Sequence, residues 1–172
     1  MADVKADVRE FVISRSYDAP RDTVWKAWTE ADRLTRWWSP KGFTTRLARF
    51  DLKPGGMCHY AMKGEGEGPE MWGKAVYREV VPQSKIVSVI SFSDENAGYT
   101  RHPLSATWPR EMLTTIEFVP EGANKTNVVI HWIPINAGDD EVKTFDEGRD
   151  GMKMGWTGTL DQLEEYLTGA KS

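Results

Sequence analysis

"GRDGMKMGWTGTLDQLEEYL", residues 148–167, decides the fold. Its apolar spacing is helical, yet it contains Gly148, Gly151, Gly155 and Gly158. Each interior glycine costs a helix about 1 kcal/mol relative to alanine. On a wheel of about 100° per residue with Gly148 at zero, Tyr166, Thr159, Met152, Leu163, Trp156, Leu167 and Leu160 fall between zero and about 120°. That is a core-facing stripe. The four glycines fall within about 80° of one another along one flank of it. Lys153, Asp161, Glu164 and Glu165 occupy the far side. Met154 also points outward, which a core stripe does not explain. The glycines therefore form a trough beside the apolar face. Two readings stay open: close approach of the backbone to a sheet, or space kept for a ligand.

Outward from this helix, Asp139 or Asp140 offers an N-cap, and Thr144-x-x-Glu147 has capping-box spacing for a later start. The spacing predicts one long helix ending near Leu167, with Gly169 as its stop. Upstream, from Phe43 to about Asn136, successive strands are expected over 43–53, 56–63, 70–82, 84–94, 111–120 and 126–135. "KPGG" (53–56), "VPQSK" (81–85) and "EGAN" (121–124) are turn signals, and "GEGEGP" (64–69) is a looser connection. The stretch 95–109, "ENAGYTRHPLSATWP", has no periodicity and reads as a long loop, a lid or a surface excursion. Val8 to Tyr17 alternates as a first strand. "DAPRDTVWKAWTEADRLTRWW" (18–38) then turns helical, with Asp18 as N-cap and a break near Thr29–Glu30 giving two short helices. The order is β-α-α-β6-α, an α+β fold in which the long helix buries its stripe on an antiparallel meander.

Composition narrows the function. At 172 residues the chain reads as a single domain, 1–172, with its core between about 9 and 168. A net charge of −4 with no basic patch argues against nucleic acid. No stretch approaches a membrane span and no signal peptide opens the chain, so a cytoplasmic location is the expectation. A single cysteine, Cys58, excludes an internal disulfide and fits a reducing compartment. Eight Trp, at 25, 28, 37, 38, 72, 108, 132 and 156, suggest a broad core or a cavity wall.

The chain resembles the START-like (SRPBCC) superfamily, and within it the C-terminal domain family of the activator of the Hsp90 ATPase. The matching pieces are "DAPRDTVWKAWT" (18–29), "LTRWWSPKGF" (34–43), "DLKPGG" (51–56) and "GWTGTLDQLEEYL" (155–167). The resemblance implies a helix-grip fold: a curved seven-stranded antiparallel sheet around a long C-terminal helix, with a hydrophobic cavity between them. Superfamily relatives bind lipids, sterols or polyketides, and some act as cyclases or dehydratases. The co-chaperone that names the family carries a further N-terminal domain, for which this chain is expected to have no room.

Signatures of chemistry are few. His59, His102 and His131 lie far apart without metal-ligand spacing, so neither a metal site nor a cofactor is expected. Cys58 and His59 are adjacent on a strand and face opposite sides. Strand 126–135 places Val129, His131 and Ile133 on one face and Val128, Ile130 and Trp132 on the other, both apolar enough to leave the concave side open. A buried His, or Glu117 beside Leu113 and Thr115, would be an acid–base candidate. The leading expectation is a module binding a hydrophobic, lipid-, aromatic- or polyketide-like ligand. Its walls would include Trp38, Trp72, Met152, Gly155, Trp156 and Leu160, with Tyr60 or His131 as polar contact. The alternatives are a cyclase, dehydratase or hydrolase using the same cavity, or an interaction protein with an Hsp90-type chaperone as partner. A homodimer is left open.

Overall fold

The structure, a computed structural model, describes residues 10–40, 42–66, 68–102 and 105–169. Residues 8 and 9 of the expected first strand, and residue 9 of the expected core, lie outside that set. The elements run β1 (Phe11–Tyr17), α1 (Arg21–Thr29), α2 (Ala31–Leu34), β2 (Phe43–Phe50), β3 (Met57–Gly64), β4 (Met71–Val81), β5 (Lys85–Phe92), β6 (Glu111–Pro120), β7 (Thr126–Ile135), α3 (Asp139–Glu147) and α4 (Arg149–Leu167). The seven strands form one antiparallel sheet in the order β1-β7-β6-β5-β4-β3-β2. Only β1 is out of sequence: the meander runs from β2 to β7, and β1 returns to pair with β7. The turn signals fall where the chain reverses. Gly55 (φ +84°) and Gly122 (φ +107°) take the left-handed conformations that glycine adopts without a Cβ penalty.

Two helix ends differ from the sequence reading. Asp18 does not cap α1, which starts after Pro20, whose carbonyl accepts the Val24 N–H at 3.1 Å. The C-terminal helix is two helices, because Gly148 interrupts it. The first of these starts after Gly138, whose N–H donates to the Glu141 carboxylate (3.0 Å), so the reciprocal carboxylate of a capping box sits at 141 instead of 147. At Gly148 a side chain would crowd the neighbour: a Cβ would lie 3.2 Å from the Trp108 ring and 3.3 Å from the Thr144 carbonyl. The predicted break at Thr29–Glu30 is where α1 passes into α2.

Cross-strand register fixes which side chains share a face. Tyr17 opposite Thr126, Ile13 opposite Ile130, Ile130 opposite Ile116, and Ile116 opposite Ile86 all point to the concave side under the helices. There they meet the apolar stripe of α4. Val128, Ile130, Phe118, Leu160 and Leu163 are at most 2% exposed, with Trp28 and Trp37 of the α1–α2 segment packed in the same cluster. Polar groups lock this half. The Tyr17 hydroxyl donates to the Leu160 carbonyl (2.9 Å), the Trp37 indole to the Ala27 carbonyl (3.0 Å), and the buried Gln162 amide to the Ser39 and Trp37 carbonyls (2.6 and 3.2 Å). On the rim, Arg15 of β1 pairs with Asp161 (2.6 Å) and Glu164 (3.4 Å), which accounts for two of the charges on the helix's far side. The C-terminal half of α4 is thus clamped to the sheet. Its N-terminal half stands differently.

Candidate ligand cavity

Between the N-terminal half of α4 and strands β3 to β7 lies a cavity of about 600 Å³. The helix contributes Gly148, Gly151, Met152, Gly155, Trp156 and Thr159. The turn after α2 contributes Trp38, Ser39 and Pro40. The sheet supplies Tyr60 and Met62 from β3, Ile90 and Phe92 from β5, Met112 from β6 and Trp132 from β7. The loop before β6 closes one side with His102, Trp108, Pro109 and Arg110. The wall is largely apolar and aromatic, as in most small-molecule pockets.

The rings are set edge to face, a preferred geometry for aromatic pairs. Trp38 meets Tyr60 at 4.7 Å between centroids, Trp132 meets Trp156 at 5.5 Å, and His102 sits between Phe92 (4.9 Å) and Trp108 (6.1 Å). Gly73 makes room for Tyr60, since a Cβ there would come 2.5 Å from the Tyr60 hydroxyl oxygen. That hydroxyl has no hydrogen-bond partner among the described residues. Burial raises its pKa, so it stays protonated and can donate or accept. Burial lowers the pKa of His102, favouring the neutral imidazole. The buried indole N–H groups of Trp132 and Trp156 also lack an acceptor.

The glycine trough is explained by this geometry. A Cβ at Gly151, Gly155 or Gly158 would meet nothing within 4 Å. Close packing on the sheet therefore does not require these three glycines; only Gly148 is crowded. Gly151 and Gly155 border the cavity instead. Met154, with 76% of its surface exposed, points away into solvent.

Of the residues named from sequence, Trp38, Tyr60, Met152, Gly155 and Trp156 come together around this cavity. Trp72 is among its lining residues, although its ring packs on groups of the convex face: His59 at 4.8 Å and the Arg46 guanidinium at 4.9 Å. Leu160 does not line the cavity. At 1% exposure it is core, one turn deeper along α4. His131 does not line it either, and this corrects the expectation of a polar contact there. His131 lies on the convex face, where its Nε2 is 2.8 Å from Glu117 and its Nδ1 3.5 Å from Glu10. Its neighbour Trp132 takes the concave position. Met62, Ile90, His102, Trp108, Arg110, Met112 and Trp132 were not singled out as wall residues.

The acid–base candidates fare similarly. Glu117 shares the convex face with His131, and the His59 ring nitrogen lies 3.1 Å from the Asp94 carbonyl on that side. Cys58 points inward but is buried, which pushes its thiol up to about 12, too high for a nucleophile at neutral pH. Among the described residues no group of three His, Cys, Asp or Glu could hold a metal.

The loop expected over 95–109 divides into two parts. Its first turn is held on the convex face: the Asp94 carboxylate accepts the Gly98 and Asn96 N–H groups (2.8 Å each), which hold its pKa below the usual range. Lys74, only 7% exposed, donates to the Ala97 carbonyl (2.8 Å) and lies 4.0 Å from the Tyr99 ring centroid. The second part, from His102 to Arg110, reaches the cavity. Residues 103 and 104 lie outside the described set.

A curved antiparallel sheet closed on a C-terminal helix, with a cavity between them, defines a helix-grip protein of the START-like type. The chain belongs to the family described as activator of Hsp90 ATPase homolog 1-like protein, whose model matches residues 18–168. Solved structures agree on the fold. A protein from Arthrobacter aurescens matches with a TM-score of 0.78 at 21% identity, over 97% of this chain and 90% of that one. The AHSA1 protein from Silicibacter pomeroyi gives 0.71 at 16% identity, over 93% and 98%. DynU16, described as a putative protein in the dynemicin biosynthetic locus, gives 0.62 at 19% identity, over 94% of this chain and 48% of that one. No curated protein matches the chain significantly. Among the described residues no helix is long and apolar enough to cross a membrane.

Proposed function

We propose that this protein binds a hydrophobic small molecule in the cavity between sheet and α4. The observation that carries the reading is the open volume of about 600 Å³ beside helical glycines that no packing contact requires. A core under selection for stability alone would fill such space, because residual cavities lose dispersion contacts and transfer free energy. The aromatic wall suits a flat or polycyclic body, and the Tyr60 hydroxyl offers one orienting hydrogen bond.

The test is a thermal-shift and Trp-quenching screen with a hydrophobic library, run on the wild type and on Gly155→Trp. Gly155 borders the cavity and a Cβ there meets nothing within 4 Å, so this substitution adds a bulky ring at the cavity's edge without a backbone clash. Wild type should be stabilised by about 2.7 kcal/mol at a ligand concentration one hundred times Kd, and Gly155→Trp by close to nothing. A library without hits, or hits that persist in Gly155→Trp, would remove the reading.

One observation favours an enzymatic variant of the same reading: His102, neutral and at the cavity wall, is of the type used as a general base. It would act on the ligand together with the Tyr60 hydroxyl. Retained binding with product formation that His102→Gln abolishes would establish it.

A further inference from the structure

We propose that the cavity selects an amphipathic acid: a ligand with an apolar body and an anionic head, the head held by Arg110 at the mouth. This rests on the preceding reading that the cavity holds a small molecule, and it adds the chemistry of that molecule's polar end.

Arg110 is the only charged side chain among the described residues that line the cavity. Among the described residues no Asp or Glu lines it. The guanidinium has no ion-pair or hydrogen-bond partner among the described residues. The carboxylates nearest in the fold are engaged elsewhere. Glu111 accepts from the Tyr99 hydroxyl (2.8 Å) and the Asn136 amide (2.9 Å). Glu141 accepts from Arg101 and from the Gly138 N–H. Arg110 is instead placed by a ring, 5.6 Å from the centroid of Tyr99, which its own bond to Glu111 anchors. Arg110 acts on the Glu141 carboxylate only through space, so a guanidinium with no hydrogen-bonded carboxylate of its own, in a chain of net charge −4, is an unused recognition element. Arginine binds carboxylate and sulfonate with two parallel N–H donors.

The rest of the wall has the same bias toward donors. Among the described residues, the indole N–H groups of Trp132 and of Trp156, itself 9% exposed, have no acceptor, and the Tyr60 hydroxyl has no partner. The Ser39 groups are engaged: its carbonyl takes the Gln162 amide and the Thr159 hydroxyl, and its hydroxyl donates to the Phe43 carbonyl. The first turn of α4, at Gly148 and Gly151, borders the cavity and adds the positive end of a 19-residue helix. A ligand rich in acceptors, with its negative charge toward Arg110, satisfies this arrangement. A cationic or purely hydrocarbon ligand leaves it unmet.

Two dyes of one skeleton test this by fluorescence titration: anilinonaphthalene sulfonate, which carries the anion, and N-phenylnaphthylamine, which does not. Arg110→Gln should weaken the sulfonate about tenfold, the value of a charge-assisted hydrogen bond, while leaving the neutral dye within about twofold. Arg110→Lys, which keeps the charge but not the paired donors, should restore only part of the sulfonate affinity, and added salt should shrink the difference between the dyes. Gly155→Trp should abolish binding of both. Equal effects of Arg110→Gln on both dyes, or none on either, would overturn the proposal. So would sulfonate binding that survives Gly155→Trp, which would place the anion on the outer surface. If the neutral dye binds and the sulfonate does not, this inference fails alone. If neither dye binds, the ligand-cavity reading fails with it.

Discussion

Trp37→Ala should lower the stability of this protein by about 4 kcal/mol, a Tm decrease of about 12 °C for a chain of this size. Trp37 is 1% exposed and stands edge to face against Trp28 at 4.7 Å. Removing the indole takes away a large apolar surface and leaves the Ala27 carbonyl without its 3.0 Å donor in a buried site. The adjacent Trp38→Ala should behave differently. Trp38 lines the cavity, so its truncation enlarges a space that is already open, with a smaller cost in Tm and a loss of ligand affinity. Urea denaturation of the two variants separates the roles. Equal losses of stability would mean that Trp38 is core and that the cavity is not a site.

The second large effect has the opposite sign. Replacing Gly151, Gly155 and Gly158 together by alanine should stabilise the protein by about 3 kcal/mol, at about 1 kcal/mol per helical glycine. At roughly 2–4 °C per kcal/mol, Tm should rise by about 6–12 °C. The sign depends on free space. All three positions are helical, and a Cβ at each meets nothing within 4 Å. Gly148→Ala is the internal control, because its Cβ would press on the Trp108 ring, and it should bring no gain. A triple variant less stable than wild type would show that the trough packs against something.

Strand number and order could be read from sequence because turn chemistry punctuates the meander. Pro54-Gly55, Pro82-Gln83 and Gly122 all lie in turns that the structure contains. Which face of each strand looks inward was not readable. In β7 both faces carry branched or aromatic residues, so alternation had nothing to contrast, and His131 and Trp132 were equally placed until register resolved them. Gly148 was grouped with three glycines by its angle on the wheel, yet it alone ends a helix against an aromatic ring. Wheel angles report direction, not what waits there. Arg110 and His102 are not among the expected walls because they sit in a loop, where no periodicity indicates which side chains turn toward the sheet.

If the space under α4 receives a ligand, the indole N–H signals of the eight tryptophans report it directly. In a two-dimensional NMR titration with N-phenylnaphthylamine, the signals of Trp38, Trp108, Trp132 and Trp156 should shift together and saturate at one equivalent. Those of Trp28 and Trp37, buried in the clamped half, should stay in place. Shifts spread over all the tryptophans, or confined to those outside the cavity, would rule out binding under α4.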